Sequence, residues 1–323
     1  MRTILFALLA TALGTLAPPA FAQPYPSKPI RLIVPQAPGS NSDIVSRIIA
    51  GKLSELLGQQ VVIDNRTGAT GMIGTEMAAR AAPNGYTLFA GSVVTHAQLP
   101  VTYKKLPYDP TKDFAPISIL YLTDVVLGVH PSLPVKSVKE FISYAKSKPG
   151  ELNYASAGTG SVAHLAGVML LNMTGIQSTH IPYKGGAANI LAVAGGEAQW
   201  LAAPIGSTIG QIRAGRIRGL AVGGSERSSF MPELPTINEA GVPGYQFYTW
   251  NGLMAPAATP RAIIDTLHAA VMKAVKMQDV RDQYVAAGVE VRSSATPEAF
   301  GKFIVAEQQK MRNIAAAGGI KPE

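Results

Sequence analysis

The sequence predicts an α/β protein with largely parallel sheets. Three observations lead to this prediction. Strand-like and helix-like segments alternate along the chain. The apolar residues between Ile44 and Leu57 recur at the helical period. Three turns that lead from a strand into a helix are built from Gly, Ser, Thr and Asn, and such turns are where open α/β sheets bind ligands.

The first elements follow from runs of aliphatic residues and from helix signals. Residues 30–34 and 61–63 predict two strands. A helix follows the first strand, with Ser42 or Asn41 as its N-cap and Gly58 as its end. Residues 72–80 predict a second helix.

Later elements repeat the alternation. Residues 117–121 and 250–254 predict strands, and an apolar helical pattern opens at Val162. Two further helices are predicted over residues 260–276 and 297–316. Both begin with proline, which suits the first turn of a helix.

The loop before Val162 predicts an anion site. It reads SAGTGS from Ser156 to Ser161 and follows a short strand-like run. Glycines let the backbone approach a ligand, and the N-terminus of a helix favours negative charge. The turns over residues 35–41 and 65–71 have a similar composition. Three such turns predict one binding site beyond the carboxyl ends of the strands.

The first 22 residues predict a Sec signal peptide. Arg2 precedes an apolar run from Ile4 to Leu13, and Ala20-Phe21-Ala22 is a small-x-small cleavage pattern. The run is shorter than the about 20 apolar residues that a membrane span needs. The chain has no cysteine, which excludes a lipoprotein anchor, a disulfide framework and a thiolate site. We therefore expect cleavage after Ala22 and an exported protein.

Charge and motifs argue against nucleic acid, cofactors and metals. Lys and Arg number 28 against 20 Asp and Glu, but the basic residues are scattered and no aromatic residues interleave with them. No P-loop occurs, and Gly158-x-Gly160 lacks the third glycine of a dinucleotide fingerprint. The five histidines show no H-x-x-x-H pairing. We expect neither a nucleic-acid partner nor a cofactor nor a metal.

A hydrolase is an alternative, because Ser156, Ser161 and His164 lie close in sequence. The chain has no G-x-S-x-G elbow to expose a nucleophile. No acidic residue within the segment is placed to orient the imidazole. Binding without chemistry is the better interpretation of this loop.

A series of short motifs runs through the chain in order. They are YPSKPI at 25–30, Asp43 with Arg47, NRTGA at 65–69, PNGYTL at 83–88, YKKLPYDP at 103–110, DF at 113–114, YASAG at 154–158, HLAG at 164–167, HIPYKG at 180–185, RAG at 213–215 and APAATP at 255–260. In these motifs the chain resembles the Bug-type substrate-binding proteins of the tripartite tricarboxylate transporters. The resemblance covers essentially the whole chain after the signal peptide.

The resemblance implies a two-lobed fold of the type II periplasmic binding protein kind, with two mixed sheets, flanking helices and two crossings between the lobes. Lobe I would comprise residues 23–124 and 248–323, and lobe II residues 125–247. The implied function is that of a monomeric periplasmic receptor, not an enzyme, which binds a small carboxylate and delivers it to a membrane permease. The alternative is an exported enzyme, or a sensory or scaffold protein, that acts on a carboxylated small molecule.

Carried over by position, the resemblance also implies a set of ligand-binding residues. In lobe I they are Gln36, Pro38, Gly39, Ser40, Asn41, Ser42, Asp43, Ala69, Thr70, Ser92, Thr95 and His96, and in lobe II they are Ser156, Thr159, Gly160, Ser161, Lys184, Gly186, Ala187, Ala203 and Pro204. The turn over residues 184–189 and the edge at Ala203 and Pro204 would close the pocket. Backbone amides, hydroxyls and ordered water would hold one carboxylate.

Two features bear on selectivity. Residues 198–207 offer no carboxylate to pair with a ligand ammonium group, so we expect a dicarboxylate without an amino group. The chain reads GSNSD at 39–43, where family members commonly have GGPTD. Asp43 itself has an alternative role, in which it favours the helix dipole and braces the loop.

Overall fold

The structure, a computed structural model, describes residues 25–322, and the predicted signal peptide lies outside them. The strands are β1 (Ile30–Val34), β2 (Val61–Asn65), β3 (Thr87–Ser92), β4 (Phe114–Val129), β5 (Asn153–Ser156), β6 (Thr179–Pro182), β7 (Trp200–Pro204), β8 (Arg218–Val222), β9 (Tyr248–Pro256) and β10 (Glu290–Val291). The α-helices are α1 (Asn41–Leu57), α2 (Met72–Ala79), α3 (Leu99–Thr102), α4 (Val138–Ser147), α5 (Val162–Thr174), α6 (Gly186–Ala194), α7 (Ile205–Arg213), α8 (Arg261–Ala274), α9 (Gln278–Ala286) and α10 (Pro297–Ala317). A 3₁₀ turn precedes α2, and a π-helix over Val94–Gln98 leads into α3.

The strands form two mixed sheets, as predicted. In lobe I the order is β2-β1-β3-β9-β4, with β10 on β4. In lobe II, β4 pairs with β7 and β8, and β5 lies between β6 and β7. The sheets are less parallel than the alternation of segments predicts, because β9 is antiparallel to both β3 and β4. The alternating segments themselves do pair in parallel, β1 with β2 and β3, and β5 with β6 and β7.

Strand β4 belongs to both sheets. Its residues up to Asp124 pair with β9, where Asp124 lies opposite Tyr248. From Val125 onward the partners are β7 and β8. The chain therefore passes from one sheet to the other within a continuous strand, and it returns to the first sheet between β8 and β9.

The caps explain where the binding-loop helices begin and end. Ser40 is the N-cap of α1, since its Oγ accepts the Asp43 N–H at 3.3 Å. The cap therefore lies one residue before Asn41, the first of the two predicted caps. The helix ends at Gly58 in the left-handed conformation, as predicted. Ser161 caps α5 in the same way and sets its first residue at Val162, as predicted.

Helix α10 packs against elements of both lobes. Its first turns pack against lobe I, and its last turns reach α5 in lobe II. The approach is close at Gly318, where a Cβ would lie 2.5 Å from Val168 Cγ1. The tail after α10 then brings Ile320 and Lys321 to the space between the lobes. No helix within residues 25–322 is long and apolar enough to cross a membrane.

Candidate functional site

A cavity of about 440 Å³ lies between the lobes. This volume is within the range of small-molecule sites. Seven of the predicted site residues line it: Thr70, Thr159, Gly160, Ser161, Gly186, Ala203 and Pro204. Asn189, the end of the predicted turn over residues 184–189, also lines it. Sequence reasoning missed the others, which are Val94, Gln98, Leu99, Thr102 and Tyr103 from lobe I, Ala157, Val162, Ala163, Ile190 and Ser207 from lobe II, and Ile320 and Lys321 from the tail.

The remaining predicted residues lie outside the lining, which does not include Gln36, Pro38, Gly39, Ser40, Asn41, Ser42, Asp43, Ala69, Ser92, Thr95, His96, Ser156, Lys184 or Ala187. Ser92, Thr95 and His96 are buried and lie behind the residues that line the cavity. Ser92 and Thr95 bond to each other, and Thr95 Oγ1 lies 2.9 Å from His96 Nδ1. Burial lowers the pKa of His96 to about 3, so this ring is neutral.

Asp43 braces the loop that precedes α1. Its Oδ2 accepts bonds from the Gly39 N–H and the Arg47 Nε, each at 2.9 Å, and its Oδ1 accepts from Asn65 Nδ2 at 2.9 Å. Burial raises the pKa of Asp43, but these three bonds outweigh burial and hold the pKa below its ordinary value. The contacts favour the bracing role over direct recognition of a ligand, because they use both carboxylate oxygens.

The turn at Thr70 is strained. Ala69 and Thr70 have φ of 46° and 56°, a left-handed conformation that non-glycine residues rarely adopt. Gly68 and Gly71 on either side also have positive φ. Thr70 is thereby held at the cavity wall. Strain of this kind clusters at ligand clamps.

The small-residue loop before α5 satisfies some of its own amides. The Gly160 N–H donates to His164 Nδ1 at 3.0 Å, and the Gly158 N–H donates to Ser156 Oγ at 3.1 Å. The amides of Val162 and Ala163 are different, because the first residues of a helix have no intrahelical acceptor. Both residues line the cavity. The N-terminus of α5 therefore presents two amides at the cavity, two and three residues after Gly160.

Two stacked histidines support this loop from behind. The rings of His164 and His180 lie 4.0 Å apart, and His180 also stacks on Tyr154. Burial, with a smaller contribution from His180, lowers the pKa of His164 to about 4. His164 is therefore neutral near pH 7, and its unprotonated Nδ1 can accept the Gly160 N–H.

The same geometry weakens the hydrolase alternative. Ser156 Oγ lies 2.6 Å from His180 Nε2, which is a serine–histidine contact. However, Ser156 is fully buried and does not line the cavity. Its hydroxyl also contacts the Gly158 carbonyl at 3.1 Å. The serine fixes the shape of the loop and is not presented to a substrate.

The histidine cluster predicts acid sensitivity. Because the pKa of His164 is lowered in the native state, the unfolded chain binds a proton at mildly acidic pH that the native state does not bind. Stability is therefore retained above about pH 6.5 and is lost as the pH falls toward about 4. We expect His164→Asn, whose Oδ1 can replace the acceptor, to reduce the decline in melting temperature between pH 7 and pH 4.5.

His164→Leu serves as the companion variant. It removes the acceptor and should cost about 1 kcal/mol at pH 7. His130→Asn is the control, because His130 lies outside the cluster and bonds Ser132. An unchanged pH dependence in His164→Asn would contradict the prediction.

The charge of the cavity favours anions. Among residues 25–322, none of those that line the cavity is Asp or Glu, and Lys321 is the one with a charge. Thr70, Thr102 and Thr159 line the cavity together with apolar residues such as Ile190 and Leu99. No group of His, Cys, Asp or Glu within the described part of the chain could hold a metal ion.

Comparisons with known proteins agree with this geometry. Residues 45–320 match the model of the tripartite tricarboxylate transporter family receptor. Protein BugT of Bordetella pertussis is 34% identical over 324 residues, covering 99% of this chain and 98% of BugT. The structure of R. palustris Rpa4515 with adipate has a TM-score of 0.79 at 34% identity, covering 93% of this chain and 100% of that chain.

A second solved structure has a different ligand. MatC from Rhodopseudomonas palustris, with bound malate, has a TM-score of 0.73 at 32% identity, covering 90% of this chain and 99% of that chain. The family match covers most of both lobes and every lining residue of the cavity except Lys321. The chain therefore belongs to the receptor family of the tripartite tricarboxylate transporters, whose members are solute-binding proteins of the Bug type.

Proposed function

We propose that the protein is a periplasmic solute receptor that binds a small carboxylate between its lobes and delivers it to the membrane permease of a tripartite tricarboxylate-type transporter. The observation that carries this proposal is the cavity between the lobes. It combines the N-terminus of α5 with a lining in which the described residues include no acidic side chain.

One carboxylate binds at the N-terminus of α5. The amides of Val162 and Ala163 donate to it, and the helix dipole stabilises the negative charge. The Ser161 hydroxyl accepts the His164 N–H and keeps its own hydrogen to donate. Gln98 from lobe I adds a donor, since its buried Nε2 has no partner among residues 25–322.

The rest of the cavity suits a dicarboxylate. Apolar residues of both lobes, including Leu99 and Ile190, line its walls and can contact the carbon chain. Lys321 supplies a positive charge for a second carboxylate. An ammonium group would find no carboxylate among the lining residues, so burying it is costly. Adipate and malate, the ligands of two relatives, are both dicarboxylates without an amino group.

The ligand closes the lobes around a hinge. We place the hinge where β4 changes partners, between Asp124 and Val125, and at Tyr248 opposite it. Lobe I then comprises residues 23–124 and 248–323, and lobe II residues 125–247. The mature receptor begins after cleavage at Ala22, acts as a monomer and carries its ligand unchanged.

A carboxylate panel tests this function. We expect succinate, adipate or terephthalate to bind the purified protein saturably in calorimetry and to raise its melting temperature by mass action. Aspartate and glutamate should bind more weakly than the best of these acids. Chromatography of each mixture after long incubation should return the acid unchanged.

Three results would contradict the proposal. If no acid in the panel binds, the protein is not a receptor for small dicarboxylates. Product formation would favour the enzyme alternative. Tighter binding of aspartate or glutamate than of every amine-free acid would overturn the argument from the missing acidic side chain.

A further inference from the structure

Asn189 is a buried amide without a partner. It is the fourth residue of α6 and is 1% exposed. Neither its Oδ1 nor its Nδ2 has a hydrogen-bond partner among residues 25–322. The result does not depend on which atom is nitrogen, because both are unpaired. Buried polar side chains almost always have partners, so this exception needs an explanation.

The position of Asn189 supplies the explanation. Asn189 lines the cavity between the lobes. The other α6 residues in the lining, Gly186 and Ile190, carry no polar side-chain atom. A polar group of the ligand is therefore the natural partner of Asn189.

The atoms of the amide limit the chemistry of that group. The Nδ2 donates and the Oδ1 accepts. A carboxylate only accepts, so it satisfies Nδ2 and leaves Oδ1 unpaired. An ammonium group can satisfy Oδ1, but no Asp or Glu lies among the lining residues to neutralise it. A neutral hydroxyl both donates and accepts, and it needs no counter-ion.

We propose that Asn189 binds a hydroxyl group of the ligand, so that the receptor selects hydroxycarboxylates over matched acids without the hydroxyl. This inference rests on the proposed function and deepens it. A ligand without the hydroxyl leaves the Asn189 Oδ1 desolvated and unpaired, which weakens its binding.

Matched pairs of acids test the inference. The pairs are succinate with malate, glutarate with 2-hydroxyglutarate, and adipate with 2-hydroxyadipate, and calorimetry measures each dissociation constant. In the wild-type protein we expect the hydroxy acid of the best pair to bind about five- to tenfold tighter, the size of one neutral hydrogen bond. Leucine has a volume similar to that of asparagine. In the Asn189→Leu variant we expect the ratio of the two dissociation constants to fall to about one.

The melting temperature of the ligand-free variant distinguishes recognition from support of the fold. Since the amide bonds to no other residue of the described chain, Asn189→Leu should keep or raise this temperature. A structural asparagine would lower it. If the leucine variant fails to fold, the same ratio of dissociation constants is measured in Asn189→Ala.

Ile190→Val is the matched control, because it changes the volume of the neighbouring wall without changing any polar group. This variant should keep the wild-type ratio between the dissociation constants of the two acids of a pair. A wild-type ratio near one, or an unchanged ratio in both Asn189 variants, overturns the inference while the carboxylate receptor stands. If no acid of any pair or of the earlier panel binds, the proposed function fails and the inference fails with it.

Discussion

Gly160→Ala is expected to weaken carboxylate binding about 5- to 150-fold, the effect of overpacking by 1–3 kcal/mol, without unfolding the protein. Gly160 lies in the loop before α5, and a Cβ there would be 2.4 Å from Thr102 Cγ2. Thr102 belongs to α3 on the opposite side of the cavity. The added methyl group therefore forces the two walls of the cavity apart.

Gly175→Ala separates this effect from backbone strain. Gly160 and Gly175 have φ of +75° and +69°, so both substitutions place alanine in the left-handed conformation. A Cβ at Gly175 would meet no atom within 4 Å. We expect Gly175→Ala to lower stability slightly and to keep the wild-type dissociation constant.

A double-mutant cycle locates the clash. Thr102→Ala removes the Cγ2 that the new methyl group would meet, so it should restore part of the affinity lost in Gly160→Ala. Calorimetry with the best acid of the panel measures all four proteins. If the losses of binding free energy in the two single variants simply add in the double variant, the contact between Gly160 and Thr102 does not control binding.

Trp200→Ala is expected to lower the free energy of unfolding by about 3–5 kcal/mol. Trp200 is fully buried in β7 and stacks on Tyr154 with centroids 4.8 Å apart. It also contacts Phe141, and its Nε1 donates to Ser178 Oγ at 2.9 Å. The substitution thus leaves a large cavity beneath the strand that ends at the binding site. It also removes one of the two hydrogen bonds of Ser178 Oγ, which still donates to the Leu152 carbonyl.

Trp200→Phe is the control for this prediction. Phenylalanine keeps most of the ring packing and loses only the hydrogen bond, so it should cost less than alanine does. Denaturant unfolding followed by circular dichroism measures both variants. The chain has two tryptophans, so the fluorescence of Trp250 then reports on the lobe I sheet alone. An alanine variant as stable as the phenylalanine variant would contradict the prediction.

Local signals in the sequence predicted much of the fold. Gly58 ends α1 and Val162 begins α5 as predicted, because a left-handed glycine and a serine cap act within a few residues. The extent of β4 could not be predicted from residues 117–121. Its length depends on β7 and β9, which come from distant parts of the chain.

The site was predictable where composition marks a loop. Thr159 to Ser161 line the cavity, and their small residues indicated the loop. Asn189 was predicted only as the end of the turn over residues 184–189. Gln98 lies in a helical segment with no such mark, although an isolated amide in an apolar run is a weak signal. Lys321 could not be found, because its position depends on the path of α10 across the lobes. The role of Asp43 is decided by Asn65, a contact that no local pattern encodes.

The shared strand β4 also sets an order for folding. Strands β5 to β8 follow β4 along the chain, so the lobe II sheet can assemble from consecutive segments. The lobe I sheet cannot be completed without β9. This strand lies between β3 and β4 in the sheet but follows all of lobe II in the sequence. Closing the longer loop costs more chain entropy. We therefore expect lobe II to form first during folding, and its half of β4 then to present an edge on which β9 completes lobe I.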